Sequence, residues 1–218
     1  MFSALGMAGA VASLLGSMLM GPSGTSVVLT DPPDDKIVID LMTVIGSGCP
    51  SGTAAVAVSP DNTAFTVTYS DYLAQVGVGA KPTDWRKNCQ LNLIVHVPQG
   101  FTYAISSVDY RGFASLQAGA SVVERAAYYF QGSQDNQVIT HTFKGPLEDN
   151  WQVTDVTDIG AMVFAPCGEL RNFNINTELR VSAGTSDVKK TTSFFTIDSV
   201  DGELDTTYHF AWKECPKK

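Results

Sequence analysis

From Arg171 to Val181 the chain changes character at every step. Phe173, Ile175, Thr177, Leu179 and Val181 fall in one set, and Asn172, Asn174, Asn176, Glu178 and Arg180 fall in the other. A strand turns successive side chains to opposite faces, so a period of two is what a half-buried strand requires; a helix needs a period of 3.6. The rule recurs at Leu91, Leu93, Val95 and Val97, and again at Tyr208, Phe210 and Trp212. Strands that each carry one apolar side bury it most economically as two sheets packed face to face.

The pattern predicts strands over 36–45, 53–58, 63–69, 89–97, 101–111, 121–130, 137–144, 171–182, 191–198 and 204–213. Turn formers separate them, among them Ser59-Pro60-Asp61-Asn62, Pro98-Gln99-Gly100, Gly145-Pro146 and Asp201-Gly202. The expected fold is all-β: an antiparallel two-sheet sandwich, jelly-roll-like, in one domain over 36–215. Helix is scarce. Residues 70–77 read as a short turn, and 149–165 is ambiguous, with Asp155 and Asp158 ahead of the apolar run 159–164 suggesting a long loop that feeds another strand.

Ahead of the domain, residues 21–35 hold Pro22, Pro32 and Pro33 among turn formers and read as a linker, since proline lacks the donor a central strand needs. No charge precedes Asp31, and residues 1–20 are small and apolar. They read as a signal peptide with an atypical n-region, lacking the usual Lys or Arg. A retained membrane anchor and a disordered apolar arm are the alternatives, and no other stretch is apolar enough to cross a bilayer.

Four cysteines, Cys49, Cys89, Cys167 and Cys215, stand far apart with no CxxC pair and no zinc-ligand spacing. An even number at wide spacing suits two disulfides in an oxidising compartment. Three pairings are possible, and Cys49 with Cys89 and Cys167 with Cys215 is preferred. Closing loops of about 40 and about 48 residues would stabilise the fold by roughly 4 kcal/mol each on the chain-entropy model.

A formal net charge of −8, with no basic stripe beside the aromatics, argues against nucleic acid and anionic membranes as partners. His96, His141 and His209 sit inside strands without HxH or HxxxH spacing and read as satisfied or surface residues. His141 shares a face with Ile139 and Phe143, whereas His209 points away from Tyr208, Phe210 and Trp212. No Gly-x-Ser-x-Gly elbow exposes a serine nucleophile. Asp198, Asp201, Glu203 and Asp205 are spaced for calcium, yet Asp201-Gly202 is equally a hairpin turn, and Asp149, Asp155 and Asp158 are weighed the same way. No metal or cofactor is expected. Trp85 and Trp151, outside the clean strands, are the aromatics to test for exposure.

Two readings attach to the polar face of 171–181. Asn172, Asn174, Asn176, Glu178 and Arg180 form a ladder able to hydrogen-bond sugar hydroxyls, which makes a noncatalytic binder of a wall polysaccharide or other surface component the leading expectation. Paired carboxylates make a glycan hydrolase the second, with Glu178 and Asp109 as the pair and Glu124 as a further acid. A structural wall or coat component is the third.

The run Ile45-Gly46-Ser47-Gly48-Cys49-Pro50-Ser51-Gly52-Thr53-Ala54 is followed by Val58-Ser59-Pro60-Asp61-Asn62-Thr63-Ala64-Phe65-Thr66-Val67. With Arg86-Lys87-Asn88-Cys89-Gln90-Leu91, Val97-Pro98-Gln99-Gly100-Phe101, Tyr110-Arg111-Gly112 and 174–180, it resembles the secreted domain-of-unknown-function family 4360 of filamentous fungi and some bacteria. The resemblance covers roughly 36–215. It implies a small exported protein, wall-associated or in contact with a host, and supplies no reaction or catalytic set.

Overall fold

In a computed structural model, residues 27–197 and 206–217 are described. They form strands β1 (Val38–Ile45), β2 (Ala54–Val58), β3 (Ala64–Tyr69), β4 (Leu73–Gly77), β5 (Arg86–His96) and β6 (Phe101–Leu116). The second half of the chain adds β7 (Ser121–Phe130), β8 (Gln137–Lys144), β9 (Leu147–Val156), β10 (Asn172–Ser182), β11 (Thr192–Thr196) and β12 (Thr206–Glu214). A single 3-10 turn at Ile159–Ala161 is the one helical element among the described residues.

Every pairing is antiparallel. One sheet runs β1-β5-β10-β7-β8 and the other β2-β3-β12-β6-β11-β4, with β9 added on β6. The second sheet forks because β6 is long: one of its sides pairs β9 from Ser107 to Leu116, and the other pairs first β12 and then β11. At the fork Gly112 is required for close approach, since a Cβ there would stand 2.0 Å from the Thr196 carbonyl oxygen. Trp151 fills the space beside it and donates its Nε1–H to that same oxygen at 3.1 Å.

Between the sheets lies one core. Tyr103 meets Phe130 edge-on at 5.5 Å and Tyr128 meets Tyr208 at 5.8 Å, each pair joining the two sheets. Phe143 packs on both Trp151 and Phe195 at the edge where β8 passes into β9. Both bridges form as preferred, Cys49–Cys89 and Cys167–Cys215, and no cysteine is free.

Two segments depart from the sequence expectation. Residues 73–77 are a strand paired with β11 rather than a turn; its two faces, Leu73-Gln75-Gly77 and Ala74-Val76, do not separate into a polar and an apolar set, so the alternation does not declare itself. Residues 147–156 are likewise a strand, reaching into the stretch 149–165 whose sequence is ambiguous and suggests a long loop. Asp155 stands at an inward position of β9, and an acid on the core side breaks the apolar pattern by which a strand is recognised. The acidic run 198–205, weighed between a hairpin turn and calcium, and the signal segment at 1–20 lie outside the described residues.

Residues 30–37, next to β1, are pinned to the domain by Asn62. Its Nδ2 donates to the carbonyls of Pro33 at 2.8 Å and Asp35 at 2.9 Å, and its Oδ1 accepts from the Ile37 N–H at 3.2 Å. The Asn62 carbonyl in turn accepts from Trp212 Nε1 at 2.9 Å, and Thr30 N–H reaches the Trp212 carbonyl at 2.9 Å. Asn62 holds a left-handed φ of 57°, which asparagine tolerates better than most residues.

The core also contains an acid. Glu124 is 0% exposed, faces inward from β7, and neither carboxyl oxygen has a hydrogen-bond partner. Burial raises its pKa to about 8, and Asp155 pushes it the same way. The phenols of Tyr69, Tyr72 and Tyr208 also surround it, un-ionised through burial. His141, its register partner on β8, is turned to Asp155, Nε2 to Oδ1 at 2.9 Å.

Two measurements follow from this packing. Asn62→Ala removes three buried hydrogen bonds and places alanine at positive φ, so urea denaturation is expected to show a loss of about 2–4 kcal/mol; a change under 0.5 kcal/mol contradicts this role. Glu124 behaves differently because its folded pKa lies above the ordinary 4.5. Between those values the unfolded chain releases a proton that the folded chain keeps, so the contribution of Glu124 to stability falls as pH rises from about 4.5 to about 8. The stability difference between Glu124→Gln and wild type should therefore grow in favour of the variant from pH 5 to pH 8, and a difference flat with pH refutes the assignment.

Candidate functional site

The polar set on β10 lies on the outer face of the five-stranded sheet, because Phe173, Ile175 and Leu179 occupy the core. β10 sits third of five strands, so its neighbours extend the face on both sides. Asn174 is opposite Asn92 on β5 and Tyr129 on β7, and Asn176 is opposite Gln90 and Ala127. On the far side of β5, a bulge between Leu41 and Thr43 shifts the register of β1, so that Thr43 faces Asn92 and Ile45 faces Gln90.

These side chains line a shallow groove of about 330 Å³ that also includes Gln131. Within it the amides form a relay: Asn172 Nδ2 donates to Asn92 Oδ1 at 2.6 Å, and Asn92 Nδ2 donates to Asn174 Oδ1 at 2.7 Å. Asn176 Nδ2 reaches the Tyr129 hydroxyl at 3.4 Å. The relay uses one end of each β10 amide, which leaves Asn172 Oδ1 as an acceptor and Asn174 Nδ2 as a donor toward the groove. Primary amides carry both functions on one rigid group. The groove itself contains no charged residue.

The far end of the ladder has another character. Glu178 is 8% exposed and forms ion pairs with Arg86 of β5 and Arg180 of its own strand. Both carboxylate oxygens are thereby engaged, and removing either arginine would leave a poorly solvated charge. Asp109 lies on the other sheet, facing out from β6, where its carboxylate accepts from Thr154 Oγ1 and meets His209 Nε2 at 2.8 Å. Desolvation acts to raise the pKa of Asp109, but these hydrogen bonds and the nearby His209 and Arg111 outweigh it and the pKa is lowered. Glu178 and Asp109 therefore occupy opposite outer faces of the sandwich, and Glu124 lies between the sheets. No two of the three acids share a cleft.

All three histidines are paired with an aspartate: His96 with Asp40 at 2.8 Å, His141 with Asp155 and His209 with Asp109. They sit on one outer face, in the interior and on the other outer face, so they do not converge. No group of three metal-ligating side chains occurs among the described residues. Trp85 is 46% exposed, whereas Trp151 is 6% exposed and stacks on Phe195.

Reading β10 alone locates Asn172, Asn174 and Asn176 but misses Gln90, Asn92, Thr43, Tyr129 and Gln131. Gln90, Asn92 and Tyr129 obey the same alternation on their own strands, Gln90 and Asn92 flanking the inward Leu91 and Tyr129 following the inward Tyr128; Thr43 follows the β1 bulge and Gln131 lies just past the end of β7. Only strand register brings them together.

Comparison with known proteins places the chain at the level of family. Residues 35–215 match the DUF4360 family, described as a domain of unknown function. A protein of Arthroderma benhamiae described as an uncharacterized secreted protein is 35% identical over 184 residues, covering 84% of this chain and 74% of that protein. A chain of the cowpea mosaic virus empty virus-like particle aligns over 90% of this chain and 86% of its own length, at 12% identity and a TM-score of 0.19, too low to bear on the fold. On the match over 35–215 and the relative in Arthroderma benhamiae, the chain belongs to the DUF4360 family.

Proposed function

We propose that this is a secreted, noncatalytic protein that binds a neutral polysaccharide of a cell wall or another surface through the amide groove on the five-stranded sheet. The observation that carries this reading is the uncharged groove of Asn172, Asn174, Asn176, Asn92 and Gln90 beside Tyr129. Its free donor and acceptor suit a ligand that presents hydroxyls, which also carry both functions. Each such bond is worth about 1 kcal/mol net, so one sugar unit would be held weakly and an extended chain lying along the strands would be held better. Secretion is supported by the Arthroderma benhamiae relative and by the two disulfides. The hydrolase reading loses its basis, because Glu178 is neutralised by two arginines and Asp109 faces the opposite way.

The test is retention of the exported protein on a glycan array and on wall fractions, wild type against the double substitution Asn174→Ala with Asn176→Ala. Loss of two amides is expected to weaken retention by about tenfold or more, with the thermal midpoint unchanged within about 2 °C. Wild type retained by no glycan and no wall fraction, or a double variant retained as well as wild type, contradicts the proposal.

A further inference from the structure

The two disulfides lie at different depths. Cys49 and Cys89 are 0% and 1% exposed and belong to the core. Cys167 is exposed and Cys215 half-buried. Both of the latter line an open cleft of about 680 Å³ at the end of the sandwich, with apolar walls that include Val97, Phe101 and Leu170. Leu170 is 66% exposed. The charged residues of the cleft are Glu169, Arg171 and Lys217. Glu169 is already paired with Arg171 at 2.8 Å, which leaves Lys217 as the unpaired charge of the cleft among the described residues.

We propose that Cys167–Cys215 is a thiol-exchange site, open to small thiols while Cys49–Cys89 is closed to them. A thiolate entering the cleft attacks the sulfur of Cys167, the exposed residue of the bridge. The Cys167–Cys215 bond breaks, Cys215 leaves as a thiolate, and Cys167 is held as a mixed disulfide with the incoming thiol. A second thiolate attacks the incoming thiol's sulfur and releases Cys167. The protein disulfide is reduced by two electrons, and two external thiols are oxidised to one disulfide. A cation near the bridge favours both the approach of an anionic thiol and the departure of the Cys215 thiolate.

The fold tolerates this exchange because each end of the bridged segment has other attachments. Ala165 N–H donates to the Tyr103 carbonyl at 2.8 Å, and the Ala165 carbonyl accepts from Thr102 Oγ1 at 2.6 Å. Arg171 holds the Gln131 carbonyl at 3.1 Å, and Cys215 N–H donates to the Gly100 carbonyl at 2.7 Å. Reduction therefore frees the chain between Ala165 and Arg171, which carries Leu170, and widens the cleft while both sheets stay paired.

The experiment exposes the native full chain to reduced glutathione at pH 8, traps free thiols with iodoacetamide over time and maps them by mass spectrometry, with near-UV circular dichroism recorded in parallel. Cys167 and Cys215 should be alkylated at least about tenfold faster than Cys49 and Cys89, with the aromatic spectrum retained. Lys217→Glu should slow reduction by glutathione more than reduction by uncharged mercaptoethanol. Alkylation of all four cysteines at one rate, reaction of Cys49–Cys89 first, or reduction that proceeds only as the aromatic spectrum collapses would overturn the proposal. So would equal slowing of both thiols by Lys217→Glu.

Discussion

The alternation of β10 is the constraint on which the rest of the molecule depends. The strand is hydrogen-bonded on both sides along most of its length, to β5 and to β7. A slip of one residue would turn Phe173, Ile175 and Leu179 into solvent and three asparagines into the core. Burying those apolar side chains is worth roughly 1.5–3 kcal/mol each, and burying unpaired amides costs about as much. Core and amide groove are thus two consequences of one register. Tyr72 reinforces it from the other sheet, its hydroxyl 3.0 Å from Thr177 Oγ1.

What the chain puts on its surfaces follows a second regularity. Several charged side chains are matched locally, Glu178 by two arginines and His96 and His209 each by an aspartate on a neighbouring strand. The amide groove is the part of the five-stranded sheet where this matching is unnecessary, because the groove holds no charge. In the interior Glu124 breaks the regularity, since the charge that acts on it is another carboxyl, Asp155. The fold keeps it by holding the proton.

Most of the fold could be read from the residues, because strands buried on one side repeat every second position and because four widely spaced cysteines point to bridges. β4 and β9 could not. The two faces of β4 do not separate into polar and apolar sets, and β9 presents Asp155 where the pattern demands an apolar side chain. The site was legible only in part. Asn172, Asn174 and Asn176 declare themselves within one strand, but Asn92 and Tyr129 lie 82 and 45 positions from Asn174 and join it solely through pairing. Glu178 and Arg180 continue the polar period, yet burial and ion pairing set Glu178 apart from the amides, and periodicity carries no information about charge partners. The depth of the two disulfides was equally hidden, since it depends on what packs over each bridge.

Hydroxyl-radical footprinting of the folded protein tests the register most directly, because Tyr128 and Tyr129 are adjacent in sequence and opposed in space. Tyr129 stands across from Asn174 on the outer face, and Tyr128 across from Ile175 in the core, 5% exposed. The account predicts oxidation of Tyr129 and Trp85 with Tyr128, Tyr208 and Trp212 protected. Oxidation of Tyr128 as fast as Tyr129, in protein that remains folded, would contradict it.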